Sequence, residues 1–528
     1  MTPEEQAYAA VDPVVEVRPE QRRRLSWFRI LLLTAVVAAA TTGLLTVPAA
    51  IRSTAAPTSS SMFMPYVDVT NTPWYPFDDA TQPPSAWLAL SFVVSGKTDA
   101  CDPSWGGAYS LDEAARTMDL DRRIARLRQV GGHAAVSFGG AVNSELSVDC
   151  TDPKQLLDAY ATVVHRYSFN TIDLDIEGAA ASAPDVSVRR ATAIYKLQQQ
   201  EKLAGRSLQV WLTLPVSPTG LTSTGQSVLA ATLAAKVDLA GVNAMTMDYG
   251  SALPPGQHLG TANASALTGL ARQLTTAYRN AGVHIDADTV WQRIGATPMI
   301  GQNDVAAERF DLDDAQQLLL FAKQHSVRRL SMWSVNRDQA CGPNYPDVTI
   351  VSPNCSGVSQ APGAFAKAFG TFTTAAVAVA PESSTPTSPS PATSKEPLMA
   401  ADNPATSPYP IWNPVLPYAS GTKIVWHHNV YEAKWWTQGA TPDEPVASTT
   451  QTPWMLIGPV LPGEHPQPTP TLKAGTYPAW SATSTYLAGQ RVLYDGLGYQ
   501  AKWYAHGDVP GIVVGDPGQT PWEFITNP

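Results

Sequence analysis

The sequence predicts an α/β protein: a (β/α)8 barrel over residues 62–370, followed by two small all-β units at 409–460 and 477–528. Two observations carry this reading. Eight apolar stretches with strand character alternate with helical stretches through 62–370, which argues for a barrel, with a doubly wound sheet as the alternative. Beyond it, the chain from Trp412 and the chain from Trp480 read as one unit repeated at a fixed offset of 68 residues.

The N-terminal elements come first. Residues 1–29 form a basic segment in which Arg22, Arg23, Arg24 and Arg29 precede the uncharged run ILLLTAVVAAATTGLLTV at 30–47. Positive charge ahead of an apolar run holds that end in the cytoplasm and sends the remainder outward, so the protein is expected outside the cell, secreted or anchored. The run fits a cleaved signal peptide, with small-residue sites in TVPAA and RSTAA, and also an uncleaved anchor. Only in the second case would the chain touch a membrane. The cysteines agree with export. Cys101 with Cys150 and Cys341 with Cys355 is the simplest of three possible pairings.

Composition bounds the partner. The 528 residues are 44% hydrophobic, enough for a large core, while a net charge of −10 with 15% charged residues offers no basic face to nucleic acid. A neutral ligand fits better.

The strand candidates are MFMPYVDV, AWLALSFVVS, GHAAVSF, NTIDLDIE, LQVWLTL, LAGVNAMTM, RIGATPMIG and RRLSMWS. Before the fourth, Leu156, Leu157, Tyr160, Val163 and Val164 recur at helical spacing and make one apolar face. The fourth strand is the informative one. In SFNTIDLDIEG, Ile172, Leu174 and Ile176 face one way while Asp173, Asp175 and Glu177 face the other. In a barrel, Asp173 and Asp175 point into the lumen and Glu177 sits at the C-terminal end, where such folds do chemistry. Same-face neighbours lie about 6.6 Å apart along a strand, so their titrations couple. At least one proton is then shared, and Glu177 can stay an acid near neutral pH. Such a triplet can also hold a divalent cation, but nothing nearby supplies the remaining ligands, and no metal or cofactor is expected.

Residues 371–408 contain PESSTPTSPSPATSKEP, a Pro/Ser/Thr tract expected to be a flexible linker. In the repeats after it, Trp412 matches Trp480, Tyr418 matches Tyr486, Tyr431 matches Tyr499, Trp435 matches Trp503 and Trp454 matches Trp522. Trp412, Trp454, Tyr431 and their partners are expected to form the miniature cores. The adjacent aromatics of AKWW and AKWY cannot both face inward on a strand. An exposed aromatic pair makes a flat platform suited to the C–H faces of pyranose rings.

On these features the repeats resemble the chitin-binding modules of carbohydrate-binding families 5 and 12. The resemblance implies that Tyr418, Trp435 and Trp436 in one copy, and Tyr486, Trp503 and Tyr504 in the other, contact sugar. The first copy departs in having WHHNVY where the second has LYDGLGY. Two working copies would gain avidity on a polymer.

The barrel resembles glycoside hydrolase family 18. NTIDLDIE is similar to that family's DGxDxDxE strand, SFGG at 137–140 to its SxGG strand and MTMDYG at 245–250 to its sixth-strand motif, while Trp333 matches the tryptophan that floors its cleavage subsite. The resemblance implies a chitinase that hydrolyses β-1,4 linkages between N-acetylglucosamine residues of chitin or chitooligosaccharides; a monomer is expected. It also implies the roles. Glu177 is general acid and then base, Asp175 hydrogen-bonds the substrate acetamido N–H, Asp173 holds the shared proton and Asp248 orients the acetamido group. Met245, Tyr249, Gln302 and Tyr66 are further substrate-binding candidates. Asn170 and Thr171 stand where the family usually has Asp and Gly, with a packing consequence expected. Met247 stands where many members carry a tyrosine that contacts the acetamido group; Tyr249 is adjacent, but the neighbouring position faces away on a regular strand. Two other readings are a non-catalytic chitin-binding protein, which the intact acids weigh against, and an endo-β-N-acetylglucosaminidase acting on N-glycan cores, which the repeats disfavour.

Overall fold

The computed structural model describes residues 61–79, 85–372, 401–446, 450–466, 472–511 and 520–525. The basic segment at 1–29, the apolar run at 30–47 and most of the 371–408 tract lie outside these residues. Among the described residues, no helix is long and apolar enough to cross a membrane.

Eight parallel strands close into a ring. Strand β1 runs in two segments, Met62–Phe63 and Tyr66–Asp68. The others are β2 (Trp87–Ser95), β3 (His133–Gly139), β4 (Thr171–Asp175), β5 (Gln209–Ser217), β6 (Leu239–Met245), β7 (Ile294–Thr297) and β8 (Arg329–Leu330). Each pairs in parallel with the next, and β1 joins the two ends, since Tyr66–Asp68 pairs with β2 and Met62–Phe63 with β8. This closure excludes the doubly wound sheet, and all eight strand candidates find a place in the barrel.

Between strands lie α1 (Leu111–Met118), α2 (Leu120–Gln129), α3 (Pro153–Arg166), α4 (Pro184–Leu203), α5 (Ser223–Ala234), α6 (Leu259–Asn280) and α7 (Leu312–Gln324), and α8 (Ala364–Gly370) follows β8. Local chemistry starts α3: the Asp152 carboxylate accepts from the Lys154 and Gln155 amides, and Pro153 opens the first turn. The apolar face of α3 that the sequence indicates, Leu156, Leu157, Tyr160, Val163 and Val164, is buried. Helices cover the outer face of the ring, so every residue of β4 is buried, Ile172 and Leu174 in the apolar layer shared with the helices and Asp173 and Asp175 on the opposite, lumenal face.

Cys101 pairs with Cys150 and Cys341 with Cys355, the local pairing expected. Each repeat is a three-stranded antiparallel sheet. The first is β9 (Lys423–Trp426), β10 (Asn429–Ala433) and β11 (Trp454–Pro459); the second is β12 (Arg491–Tyr494), β13 (Leu497–Ala501) and β14 (Trp522–Phe524). The repeat is literal in its hydrogen bonds. Trp454 Nε1 donates to the Ala440 carbonyl at 2.8 Å, and Trp522 Nε1 to the Asp508 carbonyl at 2.8 Å. The first fold begins before residue 409, because the Asp402 carboxylate accepts from the His427 and His428 amides at 2.8 and 2.7 Å. Those two histidines form the β9–β10 turn with left-handed φ of 48° and 60°, where the second copy has Asp495 and Gly496. Asp402 thus holds a turn that lacks the usual glycine.

Candidate active site

The lumen beneath the C-terminal ends of the strands holds a closed polar network centred on Asp173. Tyr66 and Ser137 donate their hydroxyls to Asp173 Oδ2 at 2.9 and 2.8 Å, and Thr213 donates to Oδ1 at 2.8 Å. Arg329 Nη1 donates to Oδ1 at 2.7 Å, with both side chains fully buried. Arg329 is held in turn by Ser331 Oγ at 2.7 Å and lies over the rings of Tyr66 and Trp211. Asn243 donates to Tyr66 Oη at 3.2 Å and to Thr213 Oγ1 at 3.1 Å, and these two hydroxyls lie 2.9 Å from each other.

Four donors therefore reach the two oxygens of Asp173, filling the acceptor positions of a carboxylate. Asp175 is buried, and its Oδ1 has no hydrogen-bond partner among the described residues. Burial raises its pKa well above the usual carboxylate range, and the charges of Glu177 and Asp173 push the same way.

Glu177 follows the end of β4, ahead of the short helix Gly178–Ser182, and its carboxyl has no hydrogen-bond partner among the described residues. Its pKa is pushed up to about 7, first by burial and then by the Asp248 and Asp304 carboxylates. This is the condition of a general acid at neutral pH. Asp248 stands at left-handed φ of 50° beyond the end of β6, and its Oδ1 accepts from the Val305 amide at 2.9 Å. Burial raises its pKa, while the Val305 amide pulls the other way. From behind, Arg337 is buried, bonded through Nη2 to the Gln302 carbonyl at 2.5 Å and lowered to about 10 by desolvation.

Asp175, Glu177 and Asp248 line a cleft of about 370 Å3 together with Tyr66, Met245, Met247, Asp304 and Trp333. The Trp333 ring stacks on Phe92 with centroids 5.2 Å apart and meets Tyr66 edge-on at 6.1 Å. The two glycines of SFGG are explained by close approach. A Cβ on Gly139 (φ 105°) would sit 2.1 Å from the Asp175 carbonyl oxygen, and one on Gly140 (φ 87°) 2.7 Å from the Phe92 ring. A larger depression, of about 850 Å3, lies between Trp74 and α8. Its Asp338 carboxylate accepts from the Phe365 and Ala366 amides at the start of α8, at 3.1 and 2.8 Å.

Four of the substrate-binding candidates are placed elsewhere. Tyr249 is buried, its hydroxyl paired with the Asn263 side chain at 2.8 Å and its amide with Glu308. Gln302 is buried too, its Nε2 donating to the Asn303, Ala306 and Glu308 carbonyls. Both are packing residues. Tyr418 and Tyr486 lie in the repeat cores, each hydroxyl bonded to backbone five residues back, at Asn413 and Ser481. By contrast, Trp435, Trp436, Trp503 and Tyr504 are exposed at 45, 44, 42 and 61%, and the first of each pair is capped by its neighbouring lysine. Sequence reasoning missed Arg329, Thr213, Asn243 and Asp304. The first could have been found by counting back in twos along the last strand, from Trp333 through Ser331 to Arg329. Among the described residues, no cluster of three or more His, Cys, Asp or Glu has the arrangement of a metal site.

Comparison with known proteins points the same way. Residues 479–523 match the model of carbohydrate-binding module family 5/12. The chain is 36% identical over 296 residues to a protein of Escherichia coli (strain K12) described as a probable bifunctional chitinase/lysozyme, an alignment covering 54% of this chain and 31% of that one. It is 36% identical over 258 residues to endochitinase 11 of Metarhizium anisopliae, covering 48% and 47%. The chain thus spans less than half the length of each of these curated relatives. Among solved structures, the catalytic domain of a hyperthermophilic chitinase from Pyrococcus furiosus superimposes with a TM-score of 0.50 at 28% identity, covering 60% of this chain and 97% of that one. Catalytic-site mutants of active domain 2 of chitinase from the same organism give 0.51 at 28% identity and the same coverage. The barrel therefore has the fold of a chitinase catalytic domain.

Proposed function

We propose that this protein is a chitinase that cleaves β-1,4 linkages between N-acetylglucosamine residues with retention of configuration, assisted by the substrate's own acetamido group. One observation carries the proposal: Glu177, its pKa pushed up to about 7, stands in the Trp333 cleft with a buried Asp175 whose pKa is raised by burial and by the neighbouring carboxylates. Glu177 gives its proton to the glycosidic oxygen as the C1–O bond breaks, and the acetamido oxygen bonds to C1. Asp175 orients the acetamido N–H and can hydrogen-bond the carboxylate left on Glu177. Water then attacks C1, Glu177 takes its proton and the acetamido oxygen departs. Asp248 and Met247 shape the space for the acetamido group, Asp248 in place of the tyrosine absent at 247. Met245 and Tyr66 complete the wall around Trp333.

The exposed aromatic pairs of the two repeats support binding to chitin. The arginines before the 30–47 run and the two disulfides support export, with the barrel outside the cell. The test is to incubate the protein and its Glu177→Gln variant with chitin oligosaccharides and follow products by mass. The wild type should shorten them and the variant should not. Equal turnover by the two would overturn the proposal, and none by either would favour a binding protein.

A further inference from the structure

The first repeat has equipment that the second lacks, and it meets the barrel at helix α2. Arg122 and Arg126, one turn apart on α2, reach the outer edge of β11, the strand of the first repeat whose other edge pairs with β10. Arg122 Nη1 donates to the Pro459 carbonyl at 2.6 Å, and Arg126 Nη1 to the Leu456 carbonyl. Arg122 also grips the Glu464 carboxylate with both terminal nitrogens, at 3.0 and 2.5 Å, with its side chain 6% exposed. A second ion pair joins Lys423 Nζ to Asp119 Oδ2 at 2.5 Å, next to the start of α2.

Steric fit tells the same story as charge. Gly458, at φ 146°, lets β11 approach so closely that a Cβ there would lie 2.8 Å from the Arg122 carbonyl oxygen and 3.1 Å from Arg126 Cβ. At the offset of 68 residues the second repeat has Thr526 in place of Gly458, and Arg491 in place of Lys423. Arg491 is engaged within its own repeat, donating to Gln500 Oε1 at 3.0 Å and lying over the Tyr477 ring. The two copies have therefore diverged where the first one docks, while each keeps an exposed aromatic pair, Trp435–Trp436 in one and Trp503–Tyr504 in the other.

We propose that the first repeat is a docked module rather than a tethered one: the face formed by Arg122, Arg126 and Asp119 binds β11, Glu464 and Lys423, making barrel and first repeat one rigid body. The edge carbonyls of β11 supply the acceptors that guanidinium groups need, and the bidentate Arg122–Glu464 pair fixes the register. Trp435 and Trp436 then form a sugar platform at a fixed station beside the catalytic barrel. That role rests on the chitin-binding reading above; the docking does not.

The full chain is used for the test, with a site for a specific protease placed within residues 381–395. After complete cleavage, the two fragments should co-elute by size exclusion. They should separate when Arg122→Glu and Arg126→Glu are introduced together, or when Glu464→Arg is introduced on the other side. Both uncleaved variants should turn over soluble chitin oligosaccharides at the wild-type rate, which reports an intact barrel, and should degrade insoluble chitin several-fold more slowly. Separation of the wild-type fragments, or co-elution in the Glu464→Arg variant, would overturn the docking. Separation in the variants with unchanged degradation of insoluble chitin would overturn the platform role. Failure of the wild type on soluble oligosaccharides would count against the catalytic proposal alone.

Discussion

Arg329 and Asp173 face each other across the floor of the barrel, Nη1 to Oδ1 at 2.7 Å, with neither side chain reached by solvent. A buried ion pair is costly to break from one side, because the surviving charge is left without its partner. Arg329→Met should therefore destabilise the protein by about 3–5 kcal/mol. Adding Asp173→Asn removes the stranded charge and should restore a large part of that loss. Urea-unfolding midpoints of the three variants check this, and a double variant less stable than Arg329→Met would refute the pairing.

The rate should fall on the alkaline side as Glu177 loses its proton. Its pKa of about 7 places the basic limb of kcat/KM near neutrality. Asp304 is an exposed residue of the cleft whose charge helps to hold that value up. Asp304→Asn should move the limb toward lower pH with little change in thermal stability. A pH–rate profile on a soluble oligosaccharide reads the shift directly.

The same raised pKa carries a cost in stability. Between the ordinary glutamate value of 4.5 and about 7 the folded state keeps a proton that the unfolded state has released, so stability falls as pH rises through that window. A Gln at 177 cannot ionise. Glu177→Gln should accordingly be more stable than the wild type by about 1–3 kcal/mol at pH 8 and nearly equal to it at pH 4, measured by thermal or denaturant unfolding.

In the second repeat, surface and core aromatics should respond differently. Trp503→Ala with Tyr504→Ala removes the exposed pair of the second repeat and should weaken retention of residues 401–528 on insoluble chitin to what the Trp435–Trp436 pair alone supplies, while leaving the fold intact. Tyr486→Phe keeps the buried ring and loses only the hydroxyl that bonds Ser481, so it should leave chitin retention unchanged. Its cost is about 0.5–1.5 kcal/mol of module stability.

Much of the site was legible because a barrel strand has a strict period of two. Asp173, Asp175 and Glu177 announced a lumenal row, and the neighbouring SFGG marked the strand that approaches it. Where the strand ends, the rule ends. Asp248 adopts a left-handed backbone beyond Met245, and from there parity no longer tells which way Gln302 or a loop residue points. Tyr418 and Tyr486 were misplaced for a different reason. A tyrosine can lie flat on a surface or bury its ring while its hydroxyl satisfies nearby backbone, and the residue pattern is the same in both cases. The arginine beneath the row was not legible, since Arg329 sits 156 residues from Asp173 in the chain and they meet only because the ring closes.

The central claim is that the acetamido group of the substrate, and not an attacking water, displaces the leaving sugar over Glu177. The most direct measurement is the anomeric form of the newly made reducing end, followed by proton NMR in the first minutes of hydrolysis of a chitin oligosaccharide, before mutarotation. Substrate-assisted cleavage gives the β anomer first; initial formation of the α anomer would contradict it.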